Sequence, residues 1–501
     1  MKKLRKSFAI LCMSLVLCLV SINYNFQVAY ANPAPIKQQQ PEQPSIWALE
    51  DVQMLSIYDI IDISMFGQYQ SNVTYRELYT VGIKLYEKLA DEMVSEEDIT
   101  IDDIALQKAA YKLFNVFLLD DNMNVVVTRK DVVDVLYRVI KKAEPTFDYE
   151  LDYSLSFDDI SSIDGNLNSV KYLVSNKLLN GIGNNKLGLE NNCTKEQLFS
   201  LTTRAYYYAI QKSDRAAKGA FWKVSGGKNT VYLLGSIHIA DSSIYPMNDD
   251  ILEAFDSSDA LAVEVNLLDS QEGIAYMQQK MVYSDGTTID QHISEETYQA
   301  YEEAMKSFGV ATKEQYDLLK PWSAAFTIQN LQAAEQSIQA GLGVDVYFMS
   351  KAMFRKPIIE IEGYKFQTDL FESFDPEFQE LFLQSVLIKP AENDEDTDET
   401  DPAIDSIDNN VDVIAGMLES WRKGNVGELE KVVSYDENAT DEFTKKFWID
   451  RNDHMYESVL SYLNDDSEKT YFVIVGAGHM VTNAGIVKKL EDKGYSVEQI
   501  K

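Results

Sequence analysis

The stretch TVYLLGSIHIADSSIYPMNDDILEAFDSSDALAVE, Thr230–Glu264, decides how the chain is read. It opens on Val231, Tyr232, Leu233 and Leu234, a short apolar run of β-type residues that stops at Gly235, with His238 following. That pattern predicts a buried strand ending in a turn that carries a histidine. Ile251, Leu252 and Phe255 then fall at helical spacing, with Pro246 near the start of the segment, and a second strand, Ala260 to Val263, ends at Glu264. Strand, turn, helix and strand make a βαβ unit. The C-terminal ends of such strands face a common crevice, which predicts His238 and Glu264 side by side there.

The pattern recurs near the C-terminus. Tyr471 to Val475 is another apolar run, followed by Gly476-Ala477-Gly478-His479 and a polar helix ending near Gly494. Two G-x-x-H turns, each behind a strand, stand out in a chain with only four histidines.

At 501 residues the chain is long enough for two or three domains, and its 45% hydrophobic content is ordinary for globular protein. A formal charge of -35 argues against nucleic acid or an anionic membrane as partner, because both recruit basic patches. Residues 1–31 read as a secretory signal: Lys2, Lys3, Arg5 and Lys6, an apolar core from Phe8 to Val20, then Ala29-Tyr30-Ala31 as a small-x-small cleavage site. The apolar run is short for a membrane span, so the mature chain is expected to carry no transmembrane segment. Cys12 and Cys18 fall inside the signal, which leaves Cys193 alone and no intramolecular disulfide.

Residues 32–44 form a Pro/Gln linker, and residues 45–215 contain an internal repeat. Thr74 precedes the helix Leu78 to Leu89, Thr128 the helix Val132 to Lys142, and Thr194 the helix Leu198 to Ala209. Each threonine has a capping-box partner three residues on, in Glu77, Asp131 and Gln197. The third copy adds Phe157-Asp158-Asp159 and Leu179-Asn180-Gly181-Ile182-Gly183. This frame resembles the S-layer homology (SLH) repeat, with its early F-x-D, central glycines and T-R-A-E-like helix start; the second copy lacks the glycines. The resemblance implies an all-α, three-fold helical bundle that docks on secondary cell-wall polymer through basic residues. The matching positions are Arg76, Arg129 and Lys195.

Residues 217–501 form the next domain, opening with Phe221-Trp222-Lys223-Val224 and a hairpin-like turn at Gly226 to Asn229. F-W-K-V, Y-L-L-G-S-I-H-I, V-E-V and the terminal V-G-A-G-H together resemble the TraB/GumN family, whose Tiki members are described as metal-dependent proteases. Gly343-Val344-Asp345, the strand ending at Glu362, Gln367 and the pair Arg451-Asn452 fit the same pattern. Ser236, Ile361 and Thr482 depart from it, the last where glycine is common in the closing turn. The resemblance implies an α/β fold with a mostly parallel central sheet and flanking helices.

A divalent metal held by histidine and carboxylate can activate a bound water and polarise a carbonyl. His238, Glu264 and His479 are the candidate ligands, and Glu362 is a further catalytic candidate at a strand end. Arg451 is assigned to an oxyanion or a substrate carboxylate, and Asp345 to orienting a ligand histidine. Gly235 and Gly476 shape the two turns. Mn2+, Co2+ and Zn2+ are the candidate ions. His292 and His454 are expected at the surface, Glu360 toward solvent or a salt bridge, and Trp322 and Trp421 in the core. Residues 390–410, strongly acidic, are expected to form a disordered loop that lacks the glycine and spaced ligands of a calcium loop. The expectation is a secreted, cell-wall or S-layer associated peptidase acting on peptide or protein. Wall-tethered peptide or pheromone binding without turnover is the alternative, and a purely structural wall protein a third reading.

Overall fold

The computed structural model describes residues 42–116, 123–150, 154–160, 167–268, 271–310, 312–335, 340–387, 408–433, 435, 438 and 440–501. The signal-like segment 1–31, linker residues 32–41 and acidic residues 390–407 lie outside these. The last three residues of the acidic run, 408–410, begin a helix rather than a loop. The chain divides into two compact units at Ala216/Ala217.

The first unit is helical; all six strands lie beyond it. Helices α1 (Tyr75–Ala90), α2 (Arg129–Ala143) and α3 (Lys195–Lys212) follow Thr74, Thr128 and Thr194. In the first two the threonine hydroxyl and the Glu77 or Asp131 carboxylate close a reciprocal box. In the third, Gln197 Oε1 accepts from Thr194 N at 3.3 Å, while Thr194 Oγ1 makes no hydrogen bond. The segments before these helices bond in a ring: Val73 N donates to Cys193 O, Cys193 N to Val127 O, and Val127 N to Val73 O. One residue into each helix the ring repeats, from Tyr75, Arg129 and Lys195 to the carbonyls of Val125, Asn191 and Ser71. Each copy thus satisfies first-turn N–H groups of another, donors that a helix alone leaves without partners. Leu78, Val81 and Leu85 on α1, Val132, Leu136 and Val139 on α2, and Leu198, Leu201 and Ala205 on α3 recur at helical spacing and are buried.

The second unit is built on a mixed six-stranded sheet: β1 (Ala220–Ser225), β2 (Thr230–Ser236), β3 (Ala260–Val263), β4 (Ile358–Glu360), β5 (Thr470–Gly476) and β6 (Ser496–Gln499). The order is β4-β3-β5-β2-β1-β6. Strands β4, β3, β5 and β2 pair in parallel, and β1 runs antiparallel to β2 and β6. Every residue of β3 and all of β5 after Thr470 are buried, which explains their unbroken apolar sequences.

The topology keeps the βαβ unit, since β2 and β3 both run parallel to β5, and places a further strand inside it. Strands β2 and β3 are not neighbours; β5, from the far end of the chain, lies between them and pairs with both. Two local readings are also revised. Strand β2 runs past Gly235 to Ser236, and the helix between β2 and β3, α4 (Asp249–Ser257), starts at an Asn248 cap after Pro246. The remaining helices used below are α5 (Val344–Ala352), α6 (Gly363–Glu372), α7 (Asp408–Arg422), α8 (Asp450–Asn464), α9 (Ala477–Val481) and α10 (Ile486–Lys493). Gly494 ends α10 in the left-handed region, at φ 97°. Among the described residues no helix is long and apolar enough to cross a membrane.

Candidate functional site

Three adjacent strand ends build the site. Ser236 on β2 is level with Gly476 on β5, and Val263 on β3 with Ile474. His238 therefore leaves β2 on one side of β5, and Glu264 leaves β3 on the other. His479 sits in the short helix α9 that continues β5, not in an open turn. A Cβ placed on Gly476 would lie 3.3 Å from Glu264 Oε1, 3.4 Å from His238 Nε2 and 3.5 Å from His479 Cδ2. The three side chains thus converge on the one place along β5 that lacks a side chain.

Each histidine is held through Nδ1. Asp345, in the first turn of α5, brings Oδ1 to 3.0 Å from His238 Nδ1. Asn452 on α8 brings Oδ1 to 2.6 Å from His479 Nδ1. Both Nε2 atoms are buried and have no hydrogen-bond partner among the described residues. Ser236 Oγ also approaches His238 Nδ1, at 3.3 Å. Since that nitrogen already faces Asp345, the hydroxyl does not meet the free Nε2, and the triad geometry of a serine nucleophile is missing.

The carboxylates belong to a second network. Glu264 Oε1 accepts from Gly476 N at 2.5 Å and stands 3.8 Å from His238 Nε2. Its Oε2 accepts from Arg451 and from Gln367, at 2.8 and 3.1 Å. Glu362 comes beside it because Glu362 N and Gly363 N both donate to Glu264 O. Arg451, buried on α8, grips Glu362 with Nε and one terminal nitrogen, each at 2.8 Å. Its second terminal nitrogen, NH1, is buried without a partner among the described residues. The guanidinium expected to bind substrate is thus largely committed to holding two glutamates, with one N–H₂ group left over.

Electrostatics separate the two histidines. Burial disfavours a charge on His238, but the Asp345 and Glu264 carboxylates together more than offset this, and its pKa stands above the ordinary histidine value. His479 has an amide for a partner. Burial, the Arg451 charge and His238 hold its pKa well below the ordinary value. Burial raises the Glu264 pKa against the opposing pull of Arg451 and His238.

Other sequence-chosen residues find simpler places. Gly235 O accepts from Trp421 Nε1 on α7, at 2.6 Å, and a Cβ on Gly235 would press within 2.9 Å of Ala477 Cα. Thr482, which replaces an expected glycine, ends α9 at φ -83°, a conformation open to any residue. Glu360 is exposed and accepts from Asn266 N. His292 and His454 are exposed, Trp322 and Trp421 buried. In the first unit Arg76 pairs with Asp103, and Lys195 with Glu77 at 3.1 Å. Arg129 is buried and donates to Asn180 O at 3.1 Å. Two site residues carried no assigned role in the sequence reading, Asn452 and Gln367. Both stood beside assigned ones: Asn452 follows Arg451, and Gln367 trails Glu362 by five positions.

Among the described residues no three His, Cys, Asp or Glu side chains stand at a spacing that would already hold a metal ion. The donors nonetheless fit one: His238 Nε2 and a Glu264 carboxylate oxygen stand at the bare Gly476 position, and the His479 ring, whose Nε2 is also buried without a partner among the described residues, reaches it with Cδ2.

The fold and site define an α/β protein with a buried two-histidine, one-glutamate centre at the C-terminal ends of its parallel strands. The TraB/PrgY/gumN family model matches residues 220–499, more than half of the chain, and the chain belongs to that family. It is 26% identical over 138 residues to the uncharacterized protein YbaP of Escherichia coli (strain K12), covering 27% of this chain and 50% of YbaP. It is 21% identical over 181 residues to an uncharacterized protein of Treponema pallidum (strain Nichols), 33% of this chain and 50% of that one. The chain thus spans about half the length of these relatives. A metalloprotease TIKI homolog of Nematostella vectensis is 36% identical over 59 residues, 12% of each chain.

Proposed function

We propose that the second unit hydrolyses peptide bonds with a bound divalent cation. The observation that carries this reading is the meeting at Gly476 of Glu264 and two imidazole rings, each with a buried Nε2 that has no partner among the described residues. Membership of the TraB/PrgY/gumN family and the short match to the TIKI homolog support it. His238, His479 and Glu264 would hold the ion, which supplies Lewis acidity and an activated water. Asp345 and Asn452 fix the imidazoles, and Arg451 holds the carboxyl groups of Glu264 and Glu362 side by side in a buried setting. The free N–H₂ of Arg451 is the donor left for a developing oxyanion. Ser236 remains a structural hydroxyl.

Export and attachment to the cell wall form the second part of the proposal. They rest on the signal-like residues 1–31 and on the repeat of residues 45–215. Docking on an anionic wall polymer through Arg76, Arg129 and Lys195 would require these side chains to exchange their present intrachain partners.

The test is elemental analysis of the purified protein together with cleavage of a mixed peptide library under Mn2+, Co2+ or Zn2+. Stoichiometric metal, and cleavage lost in both His238→Ala and His479→Ala, is the expected result. Folded protein that neither binds metal nor cleaves would overturn the reading in favour of peptide binding without turnover.

A further inference from the structure

We propose that Asn452 is the positioning residue of His479: its amide oxygen fixes the proton on Nδ1 and so aims the Nε2 lone pair at the site. The inference deepens the metal reading above and rests on it only for the consequence, not for the tautomer.

An amide side chain can be turned either way, so its orientation must come from its other contacts. Asn452 makes three. One end lies 3.1 Å from Ala484 O and 3.0 Å from Tyr435 OH, and the other 2.6 Å from His479 Nδ1. A backbone carbonyl only accepts, so the end facing Ala484 is the N–H₂ group. The oxygen therefore faces His479. An amide oxygen also only accepts, so Nδ1 must donate, and the neutral ring carries its lone pair on Nε2.

The surroundings hold this arrangement in place. Asn452 is wholly buried. Tyr435 OH lies 3.3 Å from Thr482 Oγ1, and its ring stacks on Trp448 with centroids 5.0 Å apart. Trp448 lies against the His479 ring, with centroids at 5.1 Å. The opposite tautomer would set two lone pairs against each other at 2.6 Å and leave an N–H at Nε2 with no acceptor among the described residues. Asp345 does the same work for His238, so each imidazole has one acceptor of its own, from different helices.

The experiment uses the full chain, labelled with ¹⁵N in its histidines and freed of metal, and reads long-range ¹H–¹⁵N correlations of the imidazole rings. His479→Gln assigns the signals. The wild type should show His479 as the Nδ1–H tautomer, and Asn452→Asp, which keeps an acceptor at the same place, should preserve it. Asn452→Leu should release the ring to a mixture or to Nε2–H. In Zn2+ titrations, Asn452→Leu should weaken binding roughly 10- to 100-fold, with Asn452→Asp staying far closer to wild type. An Nε2–H ring in the wild type, or in Asn452→Asp, overturns the inference, and so does an unchanged tautomer in folded Asn452→Leu. Should that variant fail to fold, the wild type and Asn452→Asp decide the matter. The expected tautomers without Zn2+ binding by the wild type would sink the metal reading and leave the positioning role standing.

Discussion

Gly476 is where substitution tells most about the site. Its backbone, at φ -48° and ψ 135°, suits any residue, so alanine there is not strained. Its Cβ would instead occupy the point on which His238, Glu264 and His479 converge. Gly476→Ala should therefore fold, with a stability change of about 1 kcal/mol or less, yet lose metal binding and cleavage. Denaturant titration alongside metal analysis checks both halves. Arg451 is the opposite case. Removing it strands Glu264 and Glu362 as buried like charges, and Arg451→Met should cost about 3–5 kcal/mol in urea unfolding. Adding Glu362→Gln should recover part of that loss; no recovery would show that packing on Phe447, rather than charge, accounts for the effect.

His479 also sets a pH dependence. Its folded pKa lies well below the ordinary histidine value, so on acidification the unfolded chain takes up the proton first. The stability that His479 contributes is full above the unfolded value of about 6.5 and falls away below it. Urea midpoints in the presence of a chelator, measured near pH 7.5 and pH 5.5, should fall more for wild type than for His479→Gln. Parallel losses would show that His479 is not held neutral.

At the scale of elements, β5 is the keystone of the sheet. It is the strand that pairs in parallel with both β2 and β3, and from Tyr471 to Gly476 it is buried throughout. Its amides, with those of β2, should be the slowest to exchange in the second unit, and the edge strands β4 and β6 among the faster. Comparable exchange across the sheet would contradict this order. Strands β2 and β5 were legible, because a short apolar run of β-type residues closed by glycine is a local signal; β6, a polar stretch, was not. The helix starts after Thr74, Thr128 and Thr194 were legible too, since they depend on residues three apart, although only the first two close the full box. Strand order was not legible. Nothing local to β2 or β3 told that β5 would enter between them.

For the whole molecule, the division at Ala216/Ala217 predicts that residues 217–501 fold alone. Four of the five tryptophans lie in that segment, Trp222, Trp322, Trp421 and Trp448. Its fluorescence should follow one cooperative urea transition at the midpoint seen by tryptophan emission in the full chain. A fragment without near-ultraviolet circular dichroism, or with a shifted midpoint, would show that the first unit is needed.

The sequence by itself determined the parts: strands that end in G-x-x-H, capped helices in three copies, and the acids, histidines and arginine from which a site could be made. These follow from periodicity and from hydrogen bonds spanning a turn of chain. Only the tertiary structure decided how the parts meet. Glu264 reaches Gly476 across 212 positions of sequence and Arg451 across 187. Contacts so remote depend on which strand the packed core admits between which others, and no local pattern carries that choice.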